Sequence, residues 1–221
     1  MNVRLEVTYQ TPKGMTTRFI SDELQARNAI MLAEDLEKTG RTKNLMFIDR
    51  SDYTWSLKEL KKYMEEIQTE AHNVTVYFDG GFELETKKSG LGCVIYYDKN
   101  GRSYRLRKNA AAMEFNSNNE AEYAALALGV QELTLLDVHH LPVTFIGDSN
   151  VVINQMTDEW PCYEPELVKW IDRIESQLEI MGITPEYELV SRKRNREADQ
   201  LASQALKGVE ITSTIELKSS E

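Results

Sequence analysis

Four acidic residues fall where an active site could be built: Asp79 in Tyr77-Phe78-Asp79-Gly80-Gly81, Glu122 in Asn118-Asn119-Glu120-Ala121-Glu122-Tyr123, Asp148 in Gly147-Asp148-Ser149-Asn150, and Asp199 in Asn195-Arg196-Glu197-Ala198-Asp199. Carboxylates at strand ends and helix starts can converge on one edge of an α/β sheet. Four gathered there would repel one another unless divalent cations neutralised them, and an all-oxygen donor set suits Mg²⁺ or Mn²⁺. Two such ions about 4 Å apart can activate a water and stabilise the leaving oxygen of a phosphodiester. Singly, each acid has an ordinary explanation. Asp79-Gly80-Gly81 reads as a turn, Asp148-Ser149 as a helix cap, and Glu122 and Asp199 as charges matched to a helix dipole. The set of four is what points to metal-assisted chemistry. No His- or Cys-based nucleophile competes with it.

These acids need a scaffold. Val74–Phe78, Leu91–Tyr97 and Ser103–Arg107 are β-rich, with a hairpin turn at Asp98-Lys99-Asn100-Gly101. An Ala/Leu-rich helix is predicted over about Asn119–Leu136. Asn118, Glu122, Ala125 and Gly129 share one stripe of it, so small residues would let that stripe pack closely and carry Glu122 to a strand edge. Val143–Ile146 is a strand, followed by a short helix and an amphipathic helix over Pro165–Met181. Thr184–Val190 is a last strand and Asn195–Lys207 a last helix. The order βββαβααβα predicts an α/β fold, a mixed five-stranded sheet with flanking helices. Asp79 is expected to end the first of these strands, and residues 208–221 to form a flexible tail.

Residues 1–70 read as a separate small α+β domain of order ββαβα. Val3–Gln10 and Thr16–Ile20 flank a Pro/Gly turn at Thr11-Pro12-Lys13-Gly14. A helix is expected from Ser21 to about Lys38, burying Leu24, Met31, Leu32 and Leu36. Asn44–Asp49 is a short strand, and Ser56-Leu57-Lys58-Glu59 has the capping-box pattern that opens a second helix. The boundary falls at Thr69–Asn73. The second domain is expected over 73–207.

The 221 residues are 41% apolar, enough for a core, and carry a formal charge of −10. Residues 1–70 hold 11 basic and 12 acidic side chains, net −1, and the rest hold 15 and 24, net −9. This balance speaks against a general nucleic-acid-binding surface, because phosphate is held by Lys and Arg. No run of about 18 apolar residues offers a membrane span, and the opening residues lack the pattern of a secretory signal. Cys93 and Cys162 are too few for a disulfide framework or a Cys-based zinc site. A cytoplasmic location is expected, with no membrane partner.

The stretches YFDGG, NNEAEYAAL, GDSNVV and NREADQLA resemble, in order, the four active-site motifs of the type 1 ribonuclease H family. The resemblance spans about Val74–Leu206. It implies an endonuclease that hydrolyses the RNA strand of an RNA–DNA hybrid with two Mg²⁺ or Mn²⁺ ions. It assigns Asp79, Glu122, Asp148 and Asp199 as catalytic metal ligands; Glu120 does not match the family's Asn-Asn-x-x-Glu spacing. Asn118, Asn119 and Asn150 fall where the family contacts the hybrid's minor groove, a task suited to amides that donate and accept. Their alternative reading is helix capping.

Two features depart from the pattern. Many family members carry a His in the loop before the last aspartate. Here that loop is Val190-Ser191-Arg192-Lys193-Arg194, and the three histidines, His72, His139 and His140, lie elsewhere. The run resembles the shorter bacterial and archaeal branch, which manages without that His. Arg192 and Arg194 could hold a phosphate there, or form a solvated loop. The segment between Asp148 and Pro165 is acidic, where some members have a basic protrusion. A non-catalytic nucleic-acid-binding or regulatory protein on the same fold is therefore the alternative. Residues 1–70 carry no readable signature. Substrate gripping, protein–protein contact and simple folding support are all open for them, modulation of substrate binding is the working hypothesis, and the protein partners are not legible.

Overall fold

The computed structural model describes residues 1–218, without the side chains of residues 66–68. The chain divides into two units, Met1–Thr69 and the residues from Glu70 onward.

In the first unit, β1 (Asn2–Gln10) and β2 (Thr16–Gln25) form a hairpin whose turn is closed by Thr11 N–H donating to the Met15 carbonyl at 2.8 Å. Gly14, at φ +88°, takes the left-handed position there. With β3 (Thr42–Asp49) and β4 (Thr54–Trp55) the sheet order is β2-β1-β3-β4. The short β4 makes the order ββαββα rather than the expected ββαβα. Helices α1 (Ala26–Lys38) and α2 (Leu57–Thr69) complete the unit.

The first helix starts later than Ser21. A bulge between Arg4 and Glu6 leaves Leu5 without a partner on β2, and the Ser21 hydroxyl accepts the Leu5 N–H at 2.8 Å. Ser21 thus serves the sheet and not a helix cap. The buried stripe of α1 is Ala26, Ala29 and Ala33, packed against Val3, Leu5, Phe47 and Leu60. Met31 is 63% exposed and Leu32 is exposed, contrary to the expected core. Alanines let a helix backbone approach a sheet closely, and larger side chains would hold it off. At α2 the capping box is present: Ser56 N–H donates to Glu59 Oε2 at 2.9 Å, and Glu59 N–H to Ser56 Oγ at 3.2 Å.

In the second unit the sheet runs β10-β7-β6-β5-β8-β9. Its strands β5 (His72–Glu83), β6 (Lys88–Lys99) and β7 (Arg102–Met113) form an antiparallel meander. Asn100 and Gly101, both at positive φ, make the hairpin turn between the last two. Strand β8 (Pro142–Gly147) lies parallel to β5, and β9 (Thr184–Leu189) parallel to β8. Helices α3 (Asn118–Leu135), α4 (Asn150–Met156), α5 (Pro165–Ile180) and α6 (Arg196–Leu206) flank the sheet. Phe78, Phe145, Tyr123, Leu126, Leu167 and Ile174 lie in one core cluster.

The expected five strands are all present, and a sixth joins them. Thr212–Leu217, expected within a flexible tail, forms β10 antiparallel to β7. Asn109 explains why the segment is held. Its side-chain nitrogen donates to the carbonyls of Leu201 at 3.0 Å and Val209 at 2.9 Å, and its oxygen accepts from Ile211 N–H at 2.7 Å. One buried amide thus ties β7, α6 and β10 together. Asn109→Ala is expected to lower stability by about 2–3 kcal/mol, because it orphans three backbone groups. Thermal denaturation checks this, and an unchanged melting temperature refutes it.

No helix among the described residues is long and apolar enough to cross a membrane.

Candidate active site

Asp79 does not end its strand. Strand β5 continues to Glu83, pairing Asp79 with Gly92 and Gly81 with Gly90 on β6. On its other side β5 pairs with β8 only from Thr75 to Tyr77. Beyond that point β8 stops at Gly147, so Asp79 stands just past the carboxyl end of this parallel strand pair, the usual place for a site in such a sheet.

The glycines are needed for close approach and not for a turn. A Cβ on Gly80 would collide with the α3 backbone at Ala121 and Glu122. A Cβ on Gly92 would collide with the α6 backbone at Ala198. Neighbouring strand residues face opposite sides, so α3 crosses one face of the sheet here and α6 the other. Gly129 extends the first contact, since a Cβ there would lie 2.8 Å from Val76 Cγ1. The small-residue stripe below Glu122 therefore does bring α3 onto β5.

Glu122 is 6% exposed, and its Oε2 accepts the Gly80 N–H at 3.0 Å. Burial, then the nearby Asp79, pushes its carboxyl up to about 8. Asp79 is 8% exposed. Burial, then the charges of Asp148 and Asp199 and a hydrogen bond with Asp148, push it up to about 7. Asp148 follows β8 directly, and Ser149, not Asp148, caps α4 by accepting from Val152 N–H. Asp148 is therefore left to face Asp79. Asp199 stands in the first turn of α6. That helix is anchored by Glu197, which accepts from the Tyr96 hydroxyl at 2.9 Å and pairs with Arg105 at 3.0 Å.

Asn195, whose sequence position suggests only a helix start, is a further candidate because it touches one of the four acids. It is 1% exposed. Its Nδ2 donates to the Phe78 carbonyl and to Asp148 Oδ1, both at 2.8 Å. It thereby links β5, the loop after β8 and the start of α6. Both neighbours are acceptors, so the amide orientation is fixed, and its oxygen is left buried without a partner. The only sequence signal is its place, immediately before α6 and four residues before Asp199. Asn195→Ala is expected to cost about 1–3 kcal/mol, since two acceptors lose their donor. Urea denaturation would detect it, and a midpoint equal to wild type would sink the assignment.

The other candidates are placed as follows. Asn118 is exposed in the first turn of α3, one turn before Glu122, whose carboxyl it helps to lower. Asn119 is half-buried, and Asn150 is exposed at the start of α4. Helix α3 is capped by Ser117, whose side chain accepts from Glu120 N–H, so the two asparagines are not needed as its cap. Arg192 lies on Asp199, with Nη2 2.6 Å from Oδ1. Arg194 lies 3.5 Å from Glu188. Both arginines are thus paired with acids in this structure.

A family model described as reverse transcriptase-like matches residues 77–205. The chain belongs to this ribonuclease H-like family. Its second unit is a hydrolase domain of ribonuclease H type. An uncharacterized protein of Bacillus subtilis, YpeP, is 44% identical over 193 residues, covering 87% of this chain and 85% of that protein. That match is longer than the second unit, so it reaches into the first. The bifunctional protein Rv2228c of Mycobacterium tuberculosis is 30% identical over 136 residues, 60% of this chain but 35% of that protein. The chain thus spans about a third of Rv2228c. The solved N-terminal RNase H domain of Rv2228c, a fusion with maltose-binding protein, is 27% identical with a TM-score of 0.53, covering 61% of this chain and 94% of that one. LC11-RNase H1, solved in complex with an RNA/DNA hybrid, is 24% identical with a TM-score of 0.53, covering 62% and 98%. That last likeness bears on the fold.

The acids fit divalent metal in kind. Four carboxylates come close to one another, and burial together with the neighbouring charges pushes the two buried ones well above the ordinary carboxylate range. Among the described residues no three of them already converge as a finished cage. Arg192 is the cation now facing the cluster, and it lowers Asp79.

Proposed function

We propose that the second unit is a metal-dependent endonuclease that hydrolyses the RNA strand of RNA–DNA hybrids. The observation that carries this reading is the gathering of Asp79, Glu122, Asp148 and Asp199, two of them buried and raised well above the ordinary carboxylate range by burial and by one another. Asp79, Glu122, Asp148 and Asp199 would hold two Mg²⁺ or Mn²⁺ ions. When bound, such ions lower the pKa of a water and stabilise charge on the leaving oxygen. The Gly80 N–H orients Glu122, and Asn195 orients Asp148. Asn118 and Asn150 are exposed beside the acids, where a minor groove with its 2′-hydroxyls could meet them. Arg192 and Arg194 could exchange their carboxylate partners for a phosphate oxygen.

The test is cleavage of a labelled RNA–DNA hybrid with Mg²⁺ and, separately, Mn²⁺. Single-stranded RNA, duplex RNA, duplex DNA and the Asp148→Asn protein run beside it. Cleavage confined to the RNA of the hybrid and lost in Asp148→Asn is expected. Cleavage retained by Asp148→Asn refutes the site.

A second reading is a non-catalytic nucleic-acid-binding protein on the same fold. The Arg192–Asp199 pair favours it, because a guanidinium there supplies part of the charge an ion would supply. A folded protein that binds hybrid and cuts none of these substrates would establish it.

A further inference from the structure

Strand β3 of the first unit is covered along only part of one side. Its neighbour β4 is two residues long and pairs only Phe47 with Trp55 and Ile48 with Thr54. Among the described residues, no strand lies beside Thr42–Met46 on that side. An uncovered strand edge offers backbone N–H and C=O groups to any extended chain that can lie alongside.

A groove of about 650 Å³ runs beside this edge. Thr42–Met46 lines one side, Ser56, Leu57, Lys58 and Lys61 of the α2 region line the other, and Glu37 of α1 stands at the rim. Its charge is one-sided. Lys43 comes from the strand and Lys58 and Lys61 from the helix, against Glu37 alone. Lys61 also pairs with Glu34 at 2.6 Å, whereas among the described residues no carboxylate pairs with Lys43 or Lys58.

We propose that this groove docks an extended acidic polypeptide segment, which adds to β3 as a further strand and sets its carboxylates against Lys43, Lys58 and Lys61. Backbone pairing supplies the affinity of such additions, and side-chain pockets supply their specificity. Lysine on an edge can also serve only to deter self-pairing. Here two of the three lysines stand on the helical wall, where they meet the side chains of an added strand. A second copy of this edge would set lysine against lysine, so the occupant is a different, acidic chain. A nucleic acid would meet the same charges, but it has no use for the uncovered backbone of β3. The groove also has no aromatic ring on which a base could stack. The inference does not rest on the nuclease reading.

The experiment uses the full chain and a fluorescein-labelled synthetic peptide alternating glutamate and valine, read by anisotropy. Three further probes run in parallel: the same peptide N-methylated on alternate backbone nitrogens, a lysine–valine peptide, and a labelled RNA–DNA hybrid. The glutamate–valine peptide is expected to bind wild type and the lysine–valine peptide not to. N-methylation is expected to weaken binding by at least about tenfold, because it removes the backbone donors of an added strand. Lys43→Glu combined with Lys58→Glu is expected to weaken it similarly; both are exposed, and an unchanged melting temperature confirms that the variant is folded. No binding of the glutamate–valine peptide overturns the proposal. Equal binding of the N-methylated peptide overturns it too, since charge alone would then explain the affinity. Hybrid binding that the double variant loses, without peptide binding, would make the groove a nucleic-acid site instead.

Discussion

Asp79→Asn is expected to abolish hybrid cleavage, by about a thousandfold or more, while making the metal-free fold more stable. The two effects share one cause. Asp79 is buried beside Asp148, Asp199 and Glu122, and its carboxyl is raised by that burial and by the first two charges. Near neutral pH the folded protein must either keep a proton there or bear the repulsion. Asparagine fills the same volume without the charge, so the metal-free variant should gain of the order of 1–2 kcal/mol. It also loses an anionic oxygen donor, so the rise in melting temperature that Mg²⁺ is expected to give the wild type should be lost. Hybrid cleavage and thermal melts with and without Mg²⁺ read the two signs separately. A variant that loses activity but melts lower without metal would point to general damage and not to a released charge.

The second large effect is on pH. In an unfolded chain Asp79 and Glu122 titrate near their ordinary values, 3.8 and 4.5, whereas in the folded chain they titrate at about 7 and about 8. Between these ranges the folded state binds more protons than the unfolded one. The contribution of both groups to metal-free stability is therefore fully present below about pH 4 and is lost as pH rises through 7 and 8. Mg²⁺ needs the ionised carboxylates, so its affinity moves the other way. It should rise of the order of a hundredfold between about pH 6 and about pH 8, with protons released on binding. Melting curves across that range, with and without Mg²⁺, should diverge as pH rises. A stabilisation by Mg²⁺ that is equal at both ends of the range would show that these two groups do not bind it.

Much of the second unit was legible because periodicity is a local property. The β-rich composition of Leu91–Tyr97 and the helical spacing in Pro165–Met181 can each be read from residues a few positions apart. The Asp98–Gly101 turn and the Ser56–Glu59 capping box are legible for the same reason, since each closes within four residues. The failures came where a distant partner decided the outcome. Ser21 has a good capping residue's chemistry, but a bulge at Leu5, sixteen residues away, takes its hydroxyl. The apolar Met31 and Leu32 lost the core to three alanines, because the sheet rewards close approach over side-chain size. The segment after Gly208 has no strong pattern, yet Asn109 holds it to the sheet from about a hundred residues away.

The candidate site divides in the same way. The sequence by itself determined the four acidic motifs, their order and the elements that carry them, because each motif is a short string with a local structural role. Tertiary structure alone decided that Asp79 lies within a strand that outruns its parallel neighbour. It alone set Asn195 between Phe78 and Asp148, and paired Arg192 with Asp199. It alone raised Asp79 and Glu122, since burial and mutual repulsion exist only once four remote segments meet. A charge is written in the sequence. What that charge costs is set by the neighbours the fold brings to it.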